Sequence, residues 1–235
     1  ILGDIMIGII GAMEEEVANI KNLMSDIEII EKANMSFVKG KIDGKELVVV
    51  RSGIGKVNAG ICTQILADIF SVSIVINTGI AGAINNNINI GDIVVSTDAI
   101  QTDMDATAFG YELGQIPRME MKAFPADEKL IELAVQKCKE VNPDINIFKG
   151  RISTMDKFVA GKEIKKEIEK KFNAFCTEME GAAIAQAAYL NNIKFLIIRA
   201  ISDKADGSAG VDYVEFEKEA IKHCTKLTLA LINSI

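Results

Sequence analysis

Residues 5–16 read IMIGIIGAMEEE, an apolar run that ends in a glycine turn followed by three consecutive glutamates. Short, continuous runs of Ile and Val bounded by turn residues are typical of strands buried on both faces of a parallel sheet. The residues after the turn have helical spacing and predict a helix over Glu14–Met24. This strand, turn and helix indicate an α/β protein.

The rest of the chain repeats this alternation of buried strands and helices. Counting the opening run, strands are predicted at Ile5–Ile10, Leu47–Arg51, Ile74–Asn77, Ile93–Ser96, Asn146–Ile152 and Phe195–Ile201. Further helices are predicted at Val57–Phe70, Asp127–Val141, Glu163–Phe172, Glu180–Leu190 and Val214–Ile235. One pair of strands is expected to be antiparallel rather than parallel. Asp43-Gly44 is typical of a tight hairpin turn, and it lies between strands predicted at Met35–Ile42 and Lys45–Arg51. The sequence thus predicts a mixed central β-sheet flanked by α-helices, with one long irregular stretch at Gln101–Phe124.

Length and composition indicate one globular domain. The 235 residues are 49% hydrophobic and 25% charged, with no tryptophan, which suits a single large core. No apolar run approaches the roughly 20 residues that cross a bilayer, so we expect no membrane partner. The net charge of −7 disfavours a nucleic-acid partner. We interpret residues 1–5, which precede the first methionine, as a candidate N-terminal extension and residues 6–235 as the domain. The first residues do not resemble a secretory signal peptide, so we expect a cytoplasmic protein.

The chain offers no familiar spacing for a metal site, and neither a metal nor a cofactor is expected. Its cysteines lie far apart and are expected to be reduced and buried: Cys62, Cys138, Cys176 and Cys224. The one histidine, His223, is expected at the surface of the last helix and has no assigned role. A set of lysines alternates with glutamates along one predicted helix and is interpreted as a solvated face: Lys165, Lys166, Lys170 and Lys171.

The glutamates of the first turn argue against a phosphate site. A glycine turn that leads into a helix usually invites phosphate, but three carboxylates repel it, and the chain carries no GxxxxGK[ST] motif. Glu14 and Glu15 are interpreted as first-turn acids that complement the helix dipole. Glu16 is the acid we separate from them as a candidate functional residue.

Two further segments carry acids at strand ends, where ligands of α/β sheets bind. In EMEG at 178–181, the period of two places Glu178 and Glu180 on one side of an extended segment and Met179 on the other. In RAISD at 199–203, Arg199 and Asp203 are expected on one strand face. Turn aspartates and first-turn glutamates are common in their own right, so these residues alone leave the roles open. Without a catalytic histidine or metal, paired carboxylates suit the cleavage of a glycosidic bond.

Taken together, the segments IGIIGAMEEE, SGIGKVNA, NTGIAG, TAFGYE, EMEGAAIA and RAISDKAD resemble, in this order, the bacterial 5′-methylthioadenosine/S-adenosylhomocysteine nucleosidases. The likeness runs from about Met6 to the last residue. It implies the nucleoside phosphorylase-like fold and a homodimer. It also implies hydrolysis of the bond between adenine and ribose in a 5′-thioadenosine, releasing adenine and a 5-thioribose in methionine salvage.

The resemblance implies roles for individual residues. Glu16 matches the general base that takes a proton from the attacking water, and Arg199 matches a residue near that water. Asp203 matches the acid that protonates adenine at N7. Glu180 matches the carboxylate that holds the ribose hydroxyls, and Met179 lies against the sugar and the base.

The resemblance also implies a shell of substrate-binding residues. Phe158 stacks on the adenine, the backbone of Val159 reads its edge, and Tyr213 closes over the purine. Further residues contact the substrate: Ala12, Met13, Ile54, Ala81, Gly82, Glu178, Ser202 and Ala205. Residues of the long irregular stretch reach the 5′-thio substituent across the dimer: Phe109, Tyr111 and Pro117.

Two positions depart from the family pattern. Ile80 stands where a serine is common and makes the pocket drier, and Ala106 stands where a valine is common and enlarges the cross-subunit pocket. Preference among methylthioadenosine, adenosylhomocysteine, 5′-deoxyadenosine and aminodeoxyfutalosine stays open. Two alternatives also stay open: a nucleoside phosphorylase that uses phosphate, disfavoured by the acidic turn, and a sensor of the same fold that binds a nucleoside without turnover.

Overall fold

The fold is taken from a computed structural model, which describes residues 5–235. The candidate extension at 1–5 therefore lies outside the described residues except for Ile5. The strands are β1 (Ile7–Gly11), β2 (Ser25–Lys32), β3 (Met35–Ile42), β4 (Lys45–Arg51), β5 (Ile74–Ala83), β6 (Ile93–Gln101), β7 (Phe124–Pro125), β8 (Ile147–Thr154), β9 (Cys176–Glu178) and β10 (Lys194–Asp203). The helices are α1 (Glu14–Lys21), α2 (Lys56–Phe70), α3 (Glu128–Val141), α4 (Lys162–Phe172), α5 (Gly181–Leu190) and α6 (Ala209–Ser234), with a short 3-10 helix at Thr107–Phe109.

The strands form one mixed sheet, as the sequence predicted. Strand β1 runs parallel to β4 and β5, and β10 runs parallel to β5. Strands β2, β3 and β4 form an antiparallel edge. At the other end the sheet curls, because β5, β10, β6, β8 and β9 pair in succession and β9 pairs back onto β5. This closure brings the ends of β5, β9 and β10 together.

Helices cover both faces of the sheet. Apolar residues of α1, α3 and α6 pack with one face, and those of α2 and α5 pack with the other. The packing of β1 explains why its sequence is continuously apolar. Ile7 and Ile9 pack with the apolar residues on one face of the sheet, and Ile10 packs with those on the other. The interpretation of this run as a strand buried on both faces is confirmed.

Most predicted elements are confirmed, with longer strands than the apolar runs indicated. The hairpin bounds are those predicted, and the Asp43-Gly44 turn has positive φ at both residues (48° and 81°). Strands β5, β6 and β10 continue beyond their apolar runs into polar residues. Strands β2, β7 and β9 were missed, because β2 is almost entirely exposed and the other two are two and three residues long. Helix α6 starts five residues before the predicted Val214, in a first turn where Ser208 Oγ donates to Asp212 Oδ2 at 2.6 Å.

Two placements of charged or titratable residues were wrong. Lys165, expected on a solvated face, is 7% exposed, whereas Lys166, Lys170 and Lys171 are exposed. His223, expected at the surface, is partly buried, with Nδ1 3.0 Å from the carbonyl oxygen of Gly91. The four cysteines are buried and unpaired as expected. Over residues 5–235, no helix combines the length and apolar character needed to cross a membrane.

Candidate functional site

Acids from three parts of the chain meet at the carboxyl ends of the central strands. Glu16 follows β1 and Asp203 ends β10, and both strands run parallel to β5. The antiparallel pairing of Thr177 with Gly82 brings the end of β9, and with it Glu178 and Glu180, to the same place. This edge is where α/β sheets bind ligands.

The four acids line one cavity of about 240 Å³. Ligand pockets are mostly apolar with a few convergent polar groups, and this cavity has that character. Its lining residues are Ala12, Met13, Glu16, Ile54, Ile80, Ala81, Gly82, Phe158, Thr177, Glu178, Met179, Glu180, Ser202, Asp203 and Tyr213. No lysine, arginine or histidine is among them, so the cavity presents four carboxyl groups and no cationic side chain.

Glu16 is turned inward by the start of its own helix. It is the third residue of α1, and its Oε2 accepts hydrogen bonds from the backbone N–H groups of Ala12 (2.7 Å) and Met13 (3.0 Å). Its Oε1 accepts from the N–H of Ile80 at 3.2 Å. Burial raises the pKa of Glu16, while the Arg199 charge and these three N–H groups oppose that rise. Glu14 and Glu15 are exposed, in agreement with their interpretation as first-turn acids.

Asp203 is held by its immediate neighbours in the chain. Its Oδ1 accepts a hydrogen bond from the backbone N–H of Ala205 (2.8 Å), and its Oδ2 accepts from the hydroxyl of Ser202 (2.9 Å). The side chain is 2% exposed, and burial raises its pKa despite these two bonds. A carboxyl group in such a position retains its proton to a higher pH than an exposed aspartate and is suited to protonating a bound molecule.

Glu178 forms the centre of a buried polar network. Its Oε2 accepts from Arg199 Nη2 at 2.5 Å and from the N–H of Gly181 at 2.7 Å. Its Oε1 accepts from the hydroxyl of Thr154. Arg199 also donates to Asn77 Oδ1 at 2.5 Å, while Asn77 donates to the carbonyl of Ile10 at 2.9 Å. The network therefore ties β1, β5, β8, β9 and β10 together behind the cavity.

The charges of this network support each other. Burial works against the guanidinium charge of Arg199, but the carboxylates of Glu178, Glu16 and Glu180 outweigh it and raise its pKa. Burial and the neighbouring Glu178 raise the pKa of Glu180, whose Oε1 accepts a hydrogen bond from the N–H of Gly55 at 2.8 Å. One buried cation thus serves a cluster of three glutamates.

Two glycines of NTGIAG leave room for these acids. A Cβ built on Gly79 would lie 2.5 Å from Glu16 Oε1, and one on Gly82 would lie 2.7 Å from Asp203 Oδ1. Real Cβ atoms do not approach other atoms this closely, so each glycine fixes a space that an acid occupies. These glycines of β5 make room for side chains of the chain itself, in line with the absence of a phosphate motif.

One side of the cavity is aromatic. Phe158, from the loop before α4, and Tyr213, from the first turns of α6, face each other edge to face, with ring centroids 5.9 Å apart and planes at 89°. The Tyr213 hydroxyl donates to Glu217 Oε1 at 3.0 Å. Flat aromatic surfaces beside an acidic wall fit a planar, polar ring system such as a nucleobase.

Most predicted site residues line the cavity, and the others fall into two groups. Val159 lines a smaller adjoining recess, while Arg199 and Ala205 lie behind the cavity wall, where each bonds an acid. Residues predicted to act across a dimer, Phe109, Tyr111 and Pro117, do not line the cavity of this single chain.

Two expectations from strand alternation were wrong. Met179 was expected to point away from Glu178 and Glu180, yet all three line the cavity, because the strand ends at Glu178 and Glu180 already caps α5. Arg199 and Asp203 were expected on one strand face, but the register shifts between Ile201 and Asp203, and Asp203 lines the cavity beside Ser202 whereas Arg199 does not.

Sequence reasoning missed several residues that hold the acids. Asn77, Thr154 and Gly55 each bond one of the network groups directly. Asn77 and Gly55 lie in segments already singled out by their glycines, which was a usable signal. Thr154 is the last residue of β8, and its local sequence gave no such signal.

Comparison with known proteins identifies the family of the chain. Residues 6–233 match the family model described as the Phosphorylase superfamily. The 5′-methylthioadenosine/S-adenosylhomocysteine nucleosidase of Staphylococcus carnosus (strain TM300) is 45% identical over 233 residues, covering 98% of this chain and 100% of that protein.

Two solved structures are similar over nearly the whole chain. The nucleosidase of the same name from Neisseria meningitidis, in complex with methylthio-immucillin-A, has a TM-score of 0.94 at 36% identity, covering 98% of this chain and 99% of that chain. The futalosine hydrolase of Helicobacter pylori strain 26695 has a TM-score of 0.93 at 31% identity, covering 99% of each chain.

The buried ion pair generates a stability prediction. Arg199→Met leaves the buried carboxylate of Glu178 without its cation, and Glu178→Met removes the carboxylate that Arg199 bonds directly. Each variant is expected to lower the free energy of unfolding by about 3–5 kcal/mol. The double variant is expected to cost clearly less than the sum of the two. Urea denaturation measures all three, and Arg151→Met is the matched control, because it breaks the partly exposed pair with Asp98 and is expected to cost about 1 kcal/mol or less. Strictly additive losses would contradict the pairing.

Proposed function

The chain belongs to the Phosphorylase superfamily and, within it, to the 5′-methylthioadenosine/S-adenosylhomocysteine nucleosidases, and we propose that the four-acid cavity is its active site. The protein is an N-glycosidic hydrolase that releases adenine and a 5-thioribose from 5′-methylthioadenosine and S-adenosylhomocysteine. The observation that carries the site proposal is the convergence of Glu16, Glu178, Glu180 and Asp203 on one cavity with an aromatic wall.

Asp203 is the general acid in this proposal. Adenine is a poor leaving group as an anion, so a proton delivered to the purine lowers the barrier, and general-acid help contributes about 10²–10⁴-fold. The raised pKa of Asp203 supports this role, because the carboxyl group must hold its proton before the bond breaks. The nearby rings of Phe158 and Tyr213 provide the surface against which the purine stacks, and the backbone of Val159 in the adjoining recess reads its edge.

Glu16 is the general base. The Arg199 charge and three backbone N–H groups favour its ionised form against burial, so this acid is able to accept a proton from water. The two acids thus experience different surroundings in one cavity. Such a difference is how paired carboxyl groups take opposite roles at one pH.

Glu180 holds the ribose hydroxyls and stabilises the positive charge that develops on the sugar. Burial and the neighbouring Glu178 raise the pKa of Glu180, while the Gly55 N–H and the Arg199 charge oppose that rise. In this poorly solvated site, the positive charge of a forming oxocarbenium ion interacts strongly with the ionised carboxylate. An interaction that strengthens as the bond breaks accelerates the reaction rather than merely binding the substrate. Met179 lies next to it on the cavity wall and contacts the sugar and base.

A phosphate-dependent reaction in this cavity is disfavoured by its charge. A phosphorylase needs cationic or N–H donors that face the anion, whereas the residues lining this cavity include four carboxyl groups and no cationic side chain. The N–H groups of the first turn are already bonded to Glu16. A binding sensor without turnover would keep the same geometry, and only an assay separates it.

The decisive assay is adenine release from 5′-methylthioadenosine. Wild-type protein is expected to release adenine at the same rate with and without added phosphate. Asp203→Asn and Glu16→Gln are each expected to lower kcat by about 10²–10⁴-fold while substrate still binds. Glu15→Gln is the matched control for Glu16→Gln, because this neighbouring glutamate is exposed, and it is expected to keep full activity. A requirement for phosphate, or no turnover by wild-type protein, would refute the proposed function.

The hydroxyl of Ser202 is expected to influence how kcat depends on pH. It donates to Asp203 Oδ2 and stabilises the carboxylate, so Ser202→Ala removes an interaction that lowers the Asp203 pKa. The general acid is active while protonated, and kcat therefore falls as pH rises through this pKa. In Ser202→Ala the descending limb is expected to move to higher pH by about one unit. Ser208→Ala, at an exposed serine that bonds Asp206 and Asp212, is the control; a descending limb that stays in place in Ser202→Ala would contradict the assignment.

We also propose a homodimer that completes the site. Ile54 lines the cavity yet is 55% exposed, and Val57 (72%) and Ile61 (43%) continue this apolar face along α2. Phe109, 84% exposed, is an apolar side chain of the kind that such a face binds. In the dimer, Phe109, Tyr111 and Pro117 of the partner subunit cover the 5′-thio end of the substrate. A cytoplasmic location stays a prediction of the sequence.

Sedimentation tests this arrangement. Wild-type protein is expected to sediment as a dimer, whereas Val57→Glu, which places a charge in the apolar face, is expected to weaken the dimer and raise KM. Ile29→Glu is the matched control, because Ile29 is 60% exposed on the edge strand β2, and this variant is expected to stay dimeric. A monomeric wild-type protein with full activity would refute the proposal.

A further inference from the structure

Lys165 is a buried lysine that the catalytic proposal does not use. It is the fourth residue of α4, 7% exposed, among neighbours Lys162, Glu163 and Lys166 that are exposed. Burying an ammonium group is costly unless it is paired or hydrogen-bonded. Its Nζ donates a hydrogen bond to the carbonyl oxygen of Lys204 at 2.7 Å.

The carbonyl that Lys165 binds belongs to the peptide unit that orients Asp203. The peptide between residues 204 and 205 has its oxygen on Lys165 Nζ and its N–H on Asp203 Oδ1, at 2.7 Å and 2.8 Å. A peptide unit is planar, so its oxygen and its N–H turn together. Whatever fixes the oxygen therefore also fixes the hydrogen bond to the Asp203 carboxyl group.

This peptide has a reason to turn if it is released. Ala205, which follows it, has φ of 52°, a left-handed conformation that non-glycine residues adopt at a cost. A flip of the preceding peptide changes that φ and takes the N–H away from Asp203. A second anchor is the side chain of Lys204, whose Nζ donates to the carbonyl of Ile88 and lies 3.4 Å from Asn89 Oδ1.

We propose that Lys165 is a positioning residue for the general acid, which holds the 204–205 peptide in the orientation that aims Asp203 at the purine. The inference rests on the proposed function of Asp203. Lys165 does not line the cavity, and the 204–205 peptide connects it to the Asp203 carboxyl group. The charged groups around its ammonium are Asp206, Lys204, Glu169 and Asp203, and burial lowers its pKa, which the nearby carboxylates oppose.

Two substrates distinguish a loss of positioning of the general acid from a general structural defect in the active site. Release of adenine from 5′-methylthioadenosine needs a proton from Asp203, whereas the 4-nitrophenyl β-riboside of 5-methylthioribose loses nitrophenolate without one. Asp203→Asn serves as the reference and is expected to lose only the first activity. Lys165→Met, which keeps an unbranched apolar stem and removes the ammonium, is expected to lower kcat for adenine release at least about tenfold and to leave nitrophenolate release within a few-fold of wild type.

The pH profile of adenine release is a second readout, independent of the riboside. With the peptide released, Asp203 loses an N–H that stabilises its carboxylate, so its pKa rises and the descending limb of kcat moves to higher pH. A purely structural defect lowers kcat at every pH and leaves the limb in place. Lys166→Met, on the next, exposed residue, is the matched control and is expected to match wild type, and Lys165→Arg, which keeps a donor, is expected to restore most of the rate.

The outcomes separate this inference from the function on which it rests. If wild-type protein releases no adenine, the proposed function fails. If wild type is active but Lys165→Met loses both activities equally, keeps adenine release, or loses it with an unmoved limb, the positioning role is overturned. Should Lys165→Met not be recovered folded, Lys165→Gln, which is neutral and too short to reach, is carried through the same measurements.

Discussion

The guanidinium of Arg199 is the constraint on which the site depends. Three glutamates in an apolar wall repel one another and lose their solvation, and a single buried cation on β10 offsets both effects. Its bonds to Glu178 and Asn77 require the ends of β5, β9 and β10 to lie together, which the closed part of the sheet provides. The closure of the sheet and the placement of the acids are therefore one structural feature.

The same constraint explains how similar carboxyl groups take different roles. Burial raises the pKa of Glu16, but Arg199 and three backbone N–H groups oppose that rise and favour its charged form. Asp203 has different surroundings: burial raises its pKa, the hydrogen bonds from the Ala205 N–H and the Ser202 hydroxyl oppose that rise, and the carboxylates of Asp212 and Asp206 add to it. A cation supports the ionised form of Glu16, whereas acidic neighbours support the protonated form of Asp203, and acid–base cleavage of a glycosidic bond needs such a difference between its two carboxyl groups.

Much of this was predictable from the sequence, because strands buried on both faces leave continuous apolar runs and the hairpin has its own turn signal. Glu16, Glu180 and Asp203 were identified because acids at strand ends are conspicuous, and the family resemblance supplied their roles. Lys165 was misplaced, since a lysine in a charged helix has no local signal of burial; its partner is a carbonyl 39 residues away. Met179, and Asp203 relative to Arg199, were misplaced in orientation, because a helix start and a β-bulge interrupt the alternation of side chains along a strand. The burial and orientation of these side chains depend on contacts between segments that are distant in the sequence.

The central claim is that Glu16, Glu180 and Asp203 act on one bound nucleoside from different sides. A crystal structure with an unreactive analogue of 5′-methylthioadenosine tests it most directly. The account predicts Asp203 within hydrogen-bond distance, about 2.6–3.2 Å, of a purine ring nitrogen, Glu180 at the same distance from the ribose hydroxyls, and Glu16 bonded to a water on the opposite side of the sugar carbon from the base. A ligand bound elsewhere, or one in this cavity with Asp203 turned away from the purine, would contradict it.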